Sequence, residues 1–178
     1  MANVDAKLGL RPMEGQNARA RRFRVLAAEG TGLFINDPAK LTTNGGILPN
    51  GTTSEAFLGN VIDLYDSTGV PVNYLASGLD GFATVNTNPF MRYQVQVTAS
   101  AALTASAIGD TADFIANAGD TSLGQSRYEL SSTLKGAGNS GAMRIIGLVD
   151  RADNIWGSSC DVVVVPELHA FVSTPKAI

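Results

Sequence analysis

One cysteine, Cys160, and one histidine, His169, are the chain's entire supply of thiol and imidazole chemistry. A structural Cys/His zinc site needs four such ligands, and a single thiol cannot close an intramolecular disulfide. No metal and no cofactor are therefore expected. Cys160 reads as a small buried hydrophobe. His169 is the only histidine available to a nucleophile–base pair, and it reads as an ordinary side chain at the frayed end of the last apolar run.

The carboxylates offer more possibilities. Asp63 and Asp66 are close enough in sequence to pair, but Asp66 opens DSTG (66–69), an ordinary turn role for aspartate. Asp110, Asp113 and Asp120 could be read as calcium ligands, yet the D-x-D-x-D-G order of a calcium loop is missing. GAGNSG (136–141) is a literal G-x-G-x-x-G, which binds a dinucleotide only between a strand and a helix. Here AMRIIGLV follows, a strand by composition, so the glycines read as a flexible loop between strands. No G-x-S-x-G elbow, phosphate-binding loop or H-E-x-x-H is present. NGT (50–52) is a glycosylation sequon only in a secreted chain. No catalytic residue and no small-molecule substrate are expected.

The strongest charged feature lies near the start. Residues 1–24 hold Lys7, Arg11, Arg19, Arg21, Arg22 and Arg24 against Asp5 and Glu14, a net +4; the remaining residues carry −7. A basic end on an acidic body points to an acidic partner. Nucleic acid is a poor candidate, because only Phe23 interleaves the arginines and the isoelectric point is about 5.0. The first thirty residues lack the apolar run of a secretory signal, and Asp5, Glu14, Pro12 and Gly15 oppose a transit helix. No window suggests a membrane-spanning helix, so no membrane partner is expected and synthesis in a cytoplasm is.

A length of 178 residues suits one domain. Nineteen glycines and seven prolines cut the chain into short β-branched pieces, which favours an all-β fold. MRYQVQV (91–97) alternates cleanly, with Met91, Tyr93, Val95 and Val97 on one face and Arg92, Gln94 and Gln96 on a face that is wet or meets a polar interface. AMRIIGLVD (142–150) and DVVVVPEL (161–168) are apolar on both faces, as in strands covered on both sides. Further strands are expected in 22–28, 32–35, 56–66, 71–75, 81–85, 111–116 and 127–132. The reading is a single β-barrel or β-sandwich of roughly ten short strands over 22–178, with an extended N-terminal arm over 1–21. At most one short helix is expected near 98–109, where alanine is frequent and Gly109 is a stop.

MANVDAKLGLRP, followed by RRFRVLAAEGTGLFINDPAKL, resembles a family of small structural proteins of tailed bacteriophages. PFMRYQVQV, IGDTADF, GDTSLGQSRYELSS, RIIGLVDRADNIWG and VVVVPELHAF are similar to later blocks of that family, so the resemblance spans nearly the whole chain. It implies a head decoration, or capsid cement, protein on the outer surface of the assembled virion. Where the family has Gly before Asp-Pro, this chain has Asn36 before Asp37 and Pro38; asparagine tolerates φ > 0, so the turn survives.

The resemblance implies the major capsid protein as partner, with a homo-oligomer, trimer favoured over dimer, matching local capsid symmetry. Candidate capsid contacts are Asn3, Lys7, Leu8, Leu10, Arg11, Pro12, Arg19 and Arg21. Leu8, Leu10 and Pro12 would anchor the arm, while Lys7 and Arg11 find carboxylates on a neighbour. An extended arm of 24 residues reaches up to ~80 Å. Removing residues 2–12 is then expected to weaken capsid binding and leave the domain folded. The alternatives are another virion part (tail, baseplate or adhesion module) and, third, a carboxylate-dependent enzyme. Trp156, the only tryptophan, reads as a packed anchor rather than a sugar platform.

Overall fold

The computed structural model describes residues 3–13, 19–51, 55–135 and 141–172. Most of GAGNSG and Thr52 of the sequon lie outside these residues. Among the described residues there are fifteen strands and no α-helix. In chain order they are β1 (Arg11–Pro12), β2 (Ala20–Val25), β3 (Leu33–Phe34), β4 (Pro38–Leu41), β5 (Ile47–Pro49), β6 (Gly59–Asp66), β7 (Pro71–Val72) and β8 (Tyr74–Leu75). Then come β9 (Gly81–Asn86), β10 (Tyr93–Gln96), β11 (Thr111–Ala112), β12 (Phe114–Ile115), β13 (Glu129–Leu130), β14 (Met143–Leu148) and β15 (Asp161–Pro166).

The strands form two main antiparallel sheets. One runs β1-β10-β15-β14-β11; the other runs β2-β9-β6-β4-β5, with β7 on the end of β6. Two small ladders, β3/β8 and β12/β13, complete the set. Each main sheet has two free edges, so the fold is sandwich-like and not a closed barrel. The expected all-β class holds. The alanine-rich stretch makes only one 3-10 turn, Ala105–Ala107, because Thr104 and Ile108 on either side are extended and Gly109 turns with φ 96°.

Alternation explains where the core sits. Tyr93 and Val95 point inward from β10, Met143 and Ile145 from β14, and Val162 and Val164 from β15, all buried with Leu10 and Phe57. A second cluster gathers Val25, Leu33, Ala39, Ile47, Leu58, Val61, Leu64, Ala83 and Val85 from the other sheet. Phe57 and Leu58 are neighbours in sequence, and successive side chains of an extended segment face opposite ways. Each is fully buried, one in each cluster, so this dipeptide ties the two halves together.

Two bulges, between Val61 and Asp63 and between Ile145 and Gly147, reset the alternation. That is why Val61 and Leu64, three residues apart, are both buried. The apolar outer positions of β14 and β15 are covered less than the sequence suggests: Ile146, Val163 and Val165 are only half-buried. Instead of a second layer, Arg144 lies beside Val165 and forks onto Glu167 at 2.8 and 2.7 Å, its third bond reaching the Gly109 carbonyl at 2.6 Å. The aliphatic stem of such an arginine can shield apolar neighbours.

Candidate functional site

The eight residues singled out as capsid contacts separate into two groups. Asn3, Lys7, Leu8, Leu10, Arg11 and Pro12 belong to an extended segment, but that segment lies along its own domain. Asn3 clamps the 155–158 loop: its Nδ2 donates to the carbonyls of Ile155 and Ser158 at 2.8 and 2.9 Å, and its Oδ1 accepts from the Ile155 amide at 3.0 Å. Gln96, on the polar face of β10, donates to the Val4 carbonyl at 2.7 Å and accepts from the Ala6 amide at 3.0 Å. The polar interface expected for that face is thus supplied by the chain's own N-terminal segment.

The carboxylates expected on a neighbour are also on the same chain. Lys7 meets Glu129 at 3.0 Å, and the contact holds the lysine above its ordinary pKa. Arg11 approaches Asp161 at 3.7 Å, beside Arg151 at 3.0 Å from the same oxygen. Burial pulls the Arg11 guanidinium below its ordinary value, and the nearby Asp161 opposes that shift. Leu10 is 0% exposed in the first core cluster, and Arg11–Pro12 pair with β10 as β1. Burying an isobutyl side chain of this kind stabilises by roughly 1.5–3 kcal/mol. Leu10 therefore acts as an internal core residue, which corrects its reading as an anchor on a neighbour. Leu8 is half-buried beside Lys7, facing the 117–127 loop.

Gly9 explains the glycine in GLRP. Its φ is 68°, and a Cβ there would lie 2.4 Å from Ser126 Oγ and 2.6 Å from the Asn36 carbonyl oxygen. That same carbonyl accepts the Leu10 amide at 2.8 Å. The motif is thus read by the body of its own domain. Asn36, the substituted turn residue, does adopt φ 68°.

Arg19 and Arg21 form the second group and do face outward. β2 begins at Ala20, so Arg21, placed in the arm by the sequence reading, belongs to the sheet. With Ala20, Thr87, Pro89, Phe90 and Phe171 they line a groove of about 490 Å³. Phe90 and Phe171 are 57% and 48% exposed, and the Arg21 guanidinium stands 5.7 Å from the Phe171 ring centre. Arg22 is committed elsewhere, against the rings of Phe82 and Tyr65 at 4.3 and 4.6 Å. A cation over an aromatic face contributes about 0.5–1 kcal/mol at such exposed sites. Sequence reasoning found the two arginines but missed Phe90 and Phe171, turn residues distant in the chain that meet the arginines only in the folded domain.

The other chemical candidates have structural duties. Asp66 Oδ1 accepts the Thr68 hydroxyl at 2.7 Å and the amides of Val70 and Thr68, each at 2.9 Å, and these bonds, the hydroxyl's first, hold its carboxyl below the usual range. Asp113 pairs with Lys135 at 2.6 Å, and Asp120 receives the Ser122 and Leu123 amides. Trp156 packs against the first core cluster. His169 is not frayed: it is 5% exposed, with its ring edge-on to Phe57 and its Nδ1 accepting the Phe171 amide at 3.2 Å. Comparison with protein-family models, with curated proteins and with solved structures finds no match to this chain.

Proposed function

We propose that this protein is a structural virion protein of a tailed bacteriophage, a decoration protein that binds the outside of the assembled head and stabilises it. Made in the host cytoplasm, it acts as a homo-oligomer, a trimer in preference to a dimer. Its partner is the major capsid protein. The observation that carries this reading is the groove between Arg19, Arg21, Phe90 and Phe171, a basic and aromatic surface on an otherwise acidic body. Exposed aromatic residues beside arginine are the composition of protein interfaces. The resemblance of nearly the whole chain to phage structural proteins supports the same reading.

The contact surface is placed differently from a free arm. Residues 3–12 serve the fold of their own domain, and the capsid meets the arginine–aromatic groove, where acidic side chains satisfy Arg19 and Arg21. Decoration of this kind needs no chemistry. It adds buried area where capsid subunits meet.

The test is co-sedimentation of the purified protein with expanded capsids that lack it. Saturable binding at micromolar concentration is expected, and immunogold labelling should mark heads. Absence of co-sedimentation by the intact folded chain, or label confined to tails, overturns the reading.

A further inference from the structure

A second concavity, of about 580 Å³, opens beside β3 and β8. Its volume lies within the roughly 300–1,000 Å³ usual for small-ligand sites. Phe34 and Tyr74 are cross-strand partners and stack with ring centres 5.4 Å apart and planes within 9°. The wall is therefore built by backbone register. Gly119 brings the opposite loop against it, since a Cβ there would lie 2.4 Å from the Phe34 ring. Tyr128 supplies a third ring.

Among these apolar groups lies one carboxylate. Asp37 is 1% exposed; its Oδ2 accepts the Phe34 amide at 2.8 Å, while among the described residues its Oδ1 has no hydrogen-bond partner. A buried carboxylate oxygen without a partner is costly. Among the described residues no lysine or arginine lines the cleft to offset it.

We propose that this cleft binds an organic cation, an alkylammonium or guanidinium group, with Asp37 as its counter-ion and the rings of Phe34, Tyr74 and Tyr128 as its walls. A cation uses both features, because aromatic faces attract positive charge and the ammonium or guanidinium donates to the orphan oxygen. A neutral apolar ligand leaves Oδ1 unsatisfied, and an anion meets a like charge. The tuning of Asp37 fits this role: burial pushes its carboxyl up to about 7 against the opposing Ser126 hydroxyl and Phe34 amide, so it is poised to ionise when a cation arrives. The proposal stands apart from the capsid reading and does not depend on it.

The experiment is an amide NMR titration of the full chain at pH 8 with n-butylammonium and n-butylguanidinium, and with 1-pentanol as the neutral counterpart. Saturable shifts are expected at Phe34, Tyr74 and residues 116–119. Pentanol should bind about tenfold more weakly, a difference typical of a desolvated cation beside rings and a carboxylate. Asp37→Asn should remove the preference for the cation while its remaining spectrum stays that of the folded protein. Should that variant not fold, Tyr74→Leu, at a half-buried ring, must weaken butylammonium binding severalfold. Equal binding of pentanol and butylammonium, or no saturable shift with either cation, overturns the proposal. An Ala-Ala-Lys-Ala-Ala peptide binding more tightly than butylammonium identifies a partner's side chain as the source. Equal affinity identifies a free small cation.

Discussion

Gly9 combines two constraints: a left-handed backbone and contact with Ser126 and Asn36 where a Cβ would stand. We predict that Gly9→Ala lowers the unfolding free energy by about 2 kcal/mol or more, the scale of a strained αL residue with an added clash. Urea denaturation measures it; an unchanged midpoint would show that the segment is not docked. His169 makes a prediction about pH. Burial lowers its pKa below the ordinary 6.5, because the charged ring would lose water. A depressed histidine contributes stability that is present above 6.5 and lost as pH falls through and below that value. An NMR titration of the imidazole should give a midpoint below 6.5. The stability difference between wild type and His169→Gln should shrink on acidification. A midpoint at or above 6.5 would contradict the buried placement.

At the scale of elements, the N-terminal segment behaves as part of the five-stranded sheet. β1 is only Arg11–Pro12, but Asn3, Gly9, Leu10 and the Lys7–Glu129 pair extend its hold over ten residues. Leu10→Ala is therefore expected to cost about 2–5 kcal/mol, as for other fully buried leucines. Deleting residues 2–12 should destabilise the domain itself, seen as a lower thermal midpoint. A truncated protein with an unchanged midpoint and weakened capsid binding would restore the free-arm reading. β2 is the edge of the other sheet, and edges are commonly guarded by charge. Arg22 packs on its own sheet while Arg21 turns to Phe171, so one strand separates a structural arginine from an available one.

For the whole molecule, the acidic body and the arginine–aromatic groove set the expected behaviour in assembly. Arg21→Glu should reduce co-sedimentation with capsids by about tenfold or more, since a like charge replaces a complementary one. Its thermal midpoint should change little, because Arg21 is exposed. A variant that binds as well as wild type would remove the groove from the interface. Light scattering should give the trimer mass; a monomer at high concentration, together with monomeric occupancy on capsids, would remove the oligomer from the proposal.

Much of the β architecture was legible because alternation is local: Tyr93, Val95 and Val97 declare their face without reference to anything distant. Turn chemistry was legible for the same reason, as Asp66 and Asn36 show. β4 and β5 were hidden because proline stands at the first residue of one and the last of the other, where a strand tolerates it but a sequence reading sees a break. The bulges were hidden because an extra residue leaves no compositional mark. By itself the sequence determined an all-β chain, a single thiol and imidazole, and a basic start on an acidic body. Only the tertiary structure decided that Lys7 and Arg11 meet Glu129 and Asp161 of the same chain, that Leu10 completes a core, and that Arg21 meets Phe171. The reason is physical: a charge or an apolar side chain announces the kind of partner it needs, but long-range packing selects which partner it finds.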